Sequence, residues 1–502
     1  MLCVIVLTAQ FFILYTVLFV LQTLNRLELI DRKREERCWA SVVESVFFVP
    51  MLCILFLATR LRAVQLARGQ PDRYGLPQWW VKAAMVLCTW SVLLTVIAQA
   101  CIELFGELQE ASARGRWGPA GRLAKICRNV VLTGIYVCFT AVCVGVCNME
   151  GPLAVWGHHA APLVSPAVAC TVFLTVTYFA VYLALACVRL ANELGLLGER
   201  LRFCQALEYL KSATTAVVFA PMLCALFIAA RLRALQLDPV YGNPQPWVQL
   251  FFYLCSACVV FQTILAVAGT FLGMHEQQPD LFDNPGHQRW AAGAKSVTRT
   301  IETARLVLMA CLYLGVLAII LGIHIEEPPG GVPAPTFSLT LRCITLLAAL
   351  YFGVYLAHAI VLMAQRSAPM VPGNRRSDAV ATLEVFLGIL AKEAVGFCPK
   401  FCILYIATLV RSQQLTDGRG APQLWCQVVQ CLASGCIVLL AVVRVDVVLP
   451  RAPRQMAATL TAVQYACLVL LYASAIAIVV SLFTLTPQNA VGYGALAAAA
   501  AA

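Results

Sequence analysis

Charge is scarce in this sequence. Asp, Glu, Lys and Arg make up 12% of its 502 residues, against roughly 25% in an ordinary soluble protein. Histidine is scarcer still, and of six residues only His358 lies well inside an apolar run. Axial ligation of haem or of many pigments calls for His at that depth, so a dense cofactor array is not expected. No Gly-x-x-x-x-Gly-Lys-Ser/Thr, His-Glu-x-x-His or Gly-x-Ser-x-Gly occurs, which removes the mechanisms those spacings serve. No basic segment precedes the apolar stretch starting at Leu2, so no cleavable signal peptide is expected.

Apolar side chains fill the space left by charge, at 61% of the chain. A hydrated soluble surface cannot hide that much. They fall into separate runs of about 20 residues, the length at which a helix crosses about 30 Å of hydrocarbon. The spans read as 2–24, 40–58, 81–104, 125–147, 166–188, 209–230, 248–272, 300–323, 338–364, 383–410, 427–448 and 459–484. The expected fold is therefore all-α, a polytopic integral membrane protein of about 12 transmembrane helices. Soluble enzymes, secreted disulfide scaffolds and nucleic-acid readers are excluded. Of the 23 Cys, Cys38 and Cys204 are the clear loop residues; the rest sit in apolar runs, where thiols behave as small hydrophobes.

Segments after odd-numbered spans, counted with their edges, hold 24 Lys and Arg; those after even-numbered spans hold 10, and Lys392 and Lys400 lie within a span. Basic residues mark the cytoplasmic side, so both termini are expected on the non-cytoplasmic face or its organellar equivalent. The net charge of +11 follows that topology and suits anionic headgroups rather than nucleic acid.

The same pattern recurs three times along the chain. Phe48-x-Pro50-x-x-Cys53, Phe219-x-Pro221-x-x-Cys224 and Phe397-x-Pro399-x-x-Cys402 each continue to an Arg and a Gln-Leu pair: Arg62 with Gln65, Arg233 with Gln236, Arg411 with Gln414. A short loop then reads Gly-x-Pro-Gln-x-Trp: Gly75, Pro77, Gln78, Trp80; Gly242, Pro244, Gln245, Trp247; Gly420, Pro422, Gln423, Trp425. Tyr178-Phe-Ala-Val-Tyr182 matches Tyr351-Phe-Gly-Val-Tyr355, and Tyr136, Tyr313 and Tyr472 follow Arg128, Arg305 and Gln464 by eight residues. Repetition at this spacing predicts three tandem four-span segments, 1–150, 166–330 and 336–486, followed by a tail over 487–502 that ends in six alanines. An even span count makes them parallel repeats related by an axis along the membrane normal. A pseudo-threefold ring and a row of four-helix bundles both satisfy that.

The Phe-x-Pro-Met-Leu-Cys-x-Leu-Phe helix with Arg-x-x-Gln-Leu and Gly-x-Pro-Gln-x-Trp resembles uncharacterised polytopic membrane proteins of dinoflagellate-type protists. The resemblance covers the second and third spans of each segment and implies no activity or site. The third segment departs from it, with Lys400 where Met51 and Met222 stand.

Physically, Pro50, Pro221 and Pro399 should kink their spans and free the carbonyls of Val46, Val217 and Val395. In the loop, Gly permits left-handed backbone, Pro suits a first helical turn and Trp anchors at headgroup depth. Arg62, Arg233 and Arg411 would sit at helix C-termini, where a cation meets the dipole.

Ionisable groups at membrane depth are the functional candidates. Glu44 and Glu393 precede the shared Phe by four residues, Thr215 holds that place in the second segment, and Lys392 and Lys400 share the tenth span. The functional reading is an ion-linked site at a repeat interface; the alternative is a structural ion pair. Three facing thiols, Cys53, Cys224 and Cys402, could hold a soft metal, but no completing ligand is present. Cys255-x-x-Cys258 lacks a second pair, and His158-His159 reads as an ordinary polar loop, so no metal is expected. No cofactor is expected either; bound lipids, and at most a few pigments among the aromatic side chains, suit the composition. The expected role is a non-enzymatic scaffold or accessory subunit among other membrane subunits in a lipid bilayer. The alternative is a solute or ion channel or secondary transporter.

Overall fold

The computed structural model describes residues 1–26, 33–66, 77–111, 118–148, 164–193, 212–237, 243–276, 285–326, 338–367, 383–388, 395–415, 420–448, 454–484 and 491–492, together with positions 210, 381 and 390. Among the described residues the fold is helical except for one antiparallel ladder, Gly420 opposite Gly492 and Ala421 opposite Val491. Twelve helices are long and apolar enough to cross a membrane, and they follow the twelve expected runs in order. Apolar helices of this length call for a lipid bilayer, because only there are their outward side chains at home.

Contacts group the chain into two compact units. The N-terminal unit comprises Leu2–Pro221 and Phe252–Leu312. In it α1 (Leu2–Arg26), α2 (Lys33–Glu44), α3 (Val49–Leu66), α4 (Trp79–Ala111) and α5 (Gly118–Cys147) pack as a bundle, and α6 (Pro166–Glu193) lies against α3 and α5. The C-terminal unit comprises Met222–Phe251 and Tyr313–Ala502. The intervening helices are α7 (Ala220–Leu237), α8 (Pro246–Glu276), α9 (Pro285–Ile325) and α10 (Leu339–Ser367). They are followed by α11 (Cys398–Leu415), α12 (Leu424–Val448) and α13 (Arg454–Thr484). Helix α11 packs against α10 and α13, and α12 runs along α10 and α13.

The three Pro-led helices hold the most buried positions. In each of their spans 78% of the hydrophobic window is buried, against 28% to 50% for the other nine. Helices α3, α7 and α11 are each 18 residues long, and Pro is the second residue of each. The expected kink is thus a restart. Residues 45–48 form turns ahead of α3, residues 218–219 form a turn ahead of α7, and a 3-10 turn at Val395–Phe397 precedes α11. The freed Val46 carbonyl accepts from Val49 N at 3.0 Å. The cause is the missing donor: in a first helical turn the Pro nitrogen has no carbonyl to serve, so restarting there costs nothing that Pro could have supplied.

Many Thr hydroxyls inside the spans are closed locally. Thr8 donates to the Val4 carbonyl at 2.6 Å and Thr59 to Leu55 at 2.7 Å, the back-bonding open to Ser and Thr in helices. The first spans share an aromatic step. Ring centroids lie 4.5 Å apart for Phe11 and Tyr15, 4.7 Å for Tyr178 and Tyr182, and 4.9 Å for Tyr351 and Tyr355. Phe11-Phe12-x-x-Tyr15 thus places its rings much as Tyr-Phe-x-x-Tyr does, with Phe in the first position.

Candidate functional site

The three Gly-x-Pro-Gln-x-Trp sequences lead into α4, α8 and α12. Gln78, Gln245 and Gln423 each cap a helix start, their carbonyls accepting from Lys82, Gln249 and Gln427 N at 3.0, 3.1 and 3.0 Å. In two copies the Gln side chain also fixes the Trp: Gln245 Oε1 accepts from the Trp247 indole, and Gln423 Oε1 from Trp425. Gln249 and Gln427 then donate to the Pro244 and Pro422 carbonyls at 2.5 and 2.6 Å. Gly75 and Gly242 lie outside the described residues.

The oriented Trp and its neighbour meet a small residue on the fourth span. A Cβ at Gly145 would come 2.4 Å from Val81 Cγ2 and 2.9 Å from the Trp80 ring; a Cβ at Gly322 would come 2.4 Å from Val248 Cγ2 and 3.1 Å from Trp247. Only glycine lets these helices approach so closely. The corresponding pair in the third copy is Ser481 and Cys426, in contact at 3.3 Å from Oγ to Sγ. Gly145, Gly322 and Ser481 each follow the shared Tyr by nine residues, the signal that would have found them.

Beside the second loop lies the polar group with the clearest chemistry. Arg231 and Arg233, in the last turns of α7, are 3% and 4% exposed. Arg231 Nη1 donates to Asn243 Oδ1 at 2.5 Å. Glu326, one residue beyond α9, is 8% exposed, the only buried carboxylate among the described residues. Its carboxylate accepts the Gln245 backbone N–H and lies in the fields of Arg233 and Arg231. Burial pushes its pKa up to about 7, although Arg233, the Gln245 N–H and Arg231 all pull the other way. His324, exposed on α9, lies in the fields of Arg342 of α10 and of Arg233. The ends of α7 and α9 and the loop thus converge on one carboxyl, all within the C-terminal unit.

In the third copy a neutral network links the helices. Thr340 donates to Gln430 Oε1 at 2.8 Å, Gln430 Nε2 to Thr408 at 2.8 Å, and the Tyr405 hydroxyl to the Gln430 carbonyl at 2.8 Å. In the N-terminal unit Arg128 donates to Gln99 at 2.8 Å, and Gln99 donates to Ser41 at 2.7 Å and Glu103 at 2.9 Å.

The expected site residues are dispersed by comparison. Glu44 ends α2 and is exposed; Thr215 is exposed and donates to the Ser212 carbonyl at 2.7 Å. Lys400 lies over the Phe397 ring at 5.3 Å. Lys392 and Glu393 lie outside the described residues. Arg62 donates to Gln65 at 3.0 Å, and Arg411 is half-buried near the end of α11. Pro50 and Pro221 are half-buried and Pro399 is buried. Cys53 reaches the Val4 carbonyl and Cys402 the Ile344 carbonyl, each at 4.0 Å, so both thiols engage a first-span helix. No group of three or more metal-ligating side chains occurs among the described residues. Comparison with protein-family models, curated proteins and solved structures finds no match.

Proposed function

We propose that this chain is a non-enzymatic scaffold or accessory subunit of a larger membrane assembly, built from three parallel four-span segments with both termini on the non-cytoplasmic face. The observation that carries the reading is the use made of the repeated residues. Pro restarts the most buried helix, Gln orients Trp, Gly admits Trp and Val, and Cys meets a first-span carbonyl. Each supports packing, and none is left over for chemistry. The outward faces of the spans carry large apolar groups such as Trp90, Phe261, Leu314 and Leu432, which suit lipid and neighbouring helices alike. Gentle solubilisation from the native membrane tests this. The expected particle contains this 54.6 kDa chain in fixed stoichiometry with other polypeptides; a particle of this chain alone overturns it.

The second reading, a channel or secondary transporter, is favoured by one observation, the carboxyl of Glu326 among Arg231, Arg233 and His324. Buried ionisable groups in membrane proteins commonly mark solute or proton pathways. Flux through the purified chain in liposomes, reduced by Glu326→Gln, would select this reading over the first.

A further inference from the structure

We propose that Glu326 is a proton-operated latch that holds the second Gly-x-Pro-Gln-x-Trp loop against the ends of α7 and α9. The inference holds for a subunit or a transporter alike. It rests first on placement: a carboxyl 8% exposed, bound to the backbone N–H of Gln245, the residue that caps α8 and orients Trp247. Releasing Glu326 therefore frees one anchor of the helix start and of the Trp packed on Gly322.

Among the described residues, the charged side chains in whose fields it lies are the cations Arg233 and Arg231. Arg231 and Arg233 approach from α7; on its own side α9 contributes His324, which Arg342 of α10 also faces. Asn243 and Gln245, from the loop, are neutral. The arginines favour the carboxylate and burial favours the acid. Burial dominates, which places the transition near neutrality. The sign follows from that direction. An acid whose folded pKa lies above its value in water contributes most to the packed arrangement below the aqueous pKa, and loses that contribution as pH rises through the folded value. The latch is held in acid and loosens above about pH 7. On the expected non-cytoplasmic side, an acidic compartment would hold it shut.

Hydrogen exchange of the full-length protein in lipid nanodiscs provides the test. Peptide 243–250 is compared at each pH with peptide 421–428, which has the same Gln–Trp pair and no buried carboxylate against it among the described residues. The ratio cancels the intrinsic pH dependence of exchange. The expected result is a loss of relative protection at 243–250 of up to about 100-fold between pH 5 and 8.5. Glu326→Gln should flatten the ratio, and His324→Gln should leave the wild-type dependence in place. A flat wild-type ratio overturns the proposal, as does dependence that survives Glu326→Gln or vanishes in His324→Gln. The wild-type and His324→Gln arms decide the matter even where Glu326→Gln does not fold.

Discussion

The second and third copies of the repeated pattern solve one packing problem with different chemistry. In the second, Arg231, Arg233 and Glu326 gather where helix ends meet the Gly-x-Pro-Gln-x-Trp loop. In the third, Thr340, Tyr405, Thr408 and Gln430 cross-link α10, α11 and α12 through neutral hydrogen bonds. Both arrangements bury polar groups, and buried polar groups must be partnered. The first is built around a carboxyl whose pKa burial pushes up to about 7, and the second around hydroxyl and amide groups. The difference is that a carboxyl and two guanidinium groups meet in the second copy where hydroxyls and an amide meet in the third.

The comparison can be broken in several places. The largest effect is expected at Gly322, where any side chain meets Val248 at 2.4 Å. Gly322→Val should cost about 1–3 kcal/mol of overpacking, read as a lower thermal midpoint in detergent, and Val248→Ala should recover part of it. An unchanged midpoint would show that α8 and α9 do not approach closely. Next is Gln430→Leu, which strands the Thr340 hydroxyl while Thr408 keeps its bond to the Tyr405 carbonyl; it should cost about 1–3 kcal/mol, equally at acid and neutral pH. A loss confined to one end of the pH range would contradict the neutral character of that network.

A sharper test exchanges the pairs. Ser481→Gly with Cys426→Val builds the second copy's solution into the third. The double variant should be more stable than the sum of its parts by about 0.5 kcal/mol or more; strict additivity would mean the two positions do not sense each other. The smallest effect belongs to Pro50→Ala. With Pro as the second residue of α3 the change should stay within about 1 kcal/mol. A large gain in stability would mean that Pro50 strains a helix that prefers continuity.

The helices were legible in the sequence because hydropathy at spanning length reports them directly. Much of the packing was legible through Pro, Gly and Trp at fixed spacing. Glu326 was not. It stands one residue past an apolar run, where a carboxyl reads as a hydrated loop residue; its burial is created by Arg233 and Gln245, some 80 to 90 residues earlier in the chain. Glu44 drew attention for the converse reason. It precedes the shared Phe in an apolar context, yet the end of α2 presents it outward. Gly145 and Gly322 were hidden because a lone glycine in an apolar helix looks unremarkable until the Trp opposite it is known.

The exchange of Gly and Val for Ser and Cys also bears on how the chain could change by recombination. Val248 leaves room only for glycine at 322, and Ser481 is in contact with the thiol of Cys426. A crossover that carried one third span into another segment without its fourth span would put valine against serine, or leave a thiol facing bare glycine. The copies share a sequence pattern but are not spare parts for one another, because the side chain after each Trp and the residue nine places after each shared Tyr are matched as a pair.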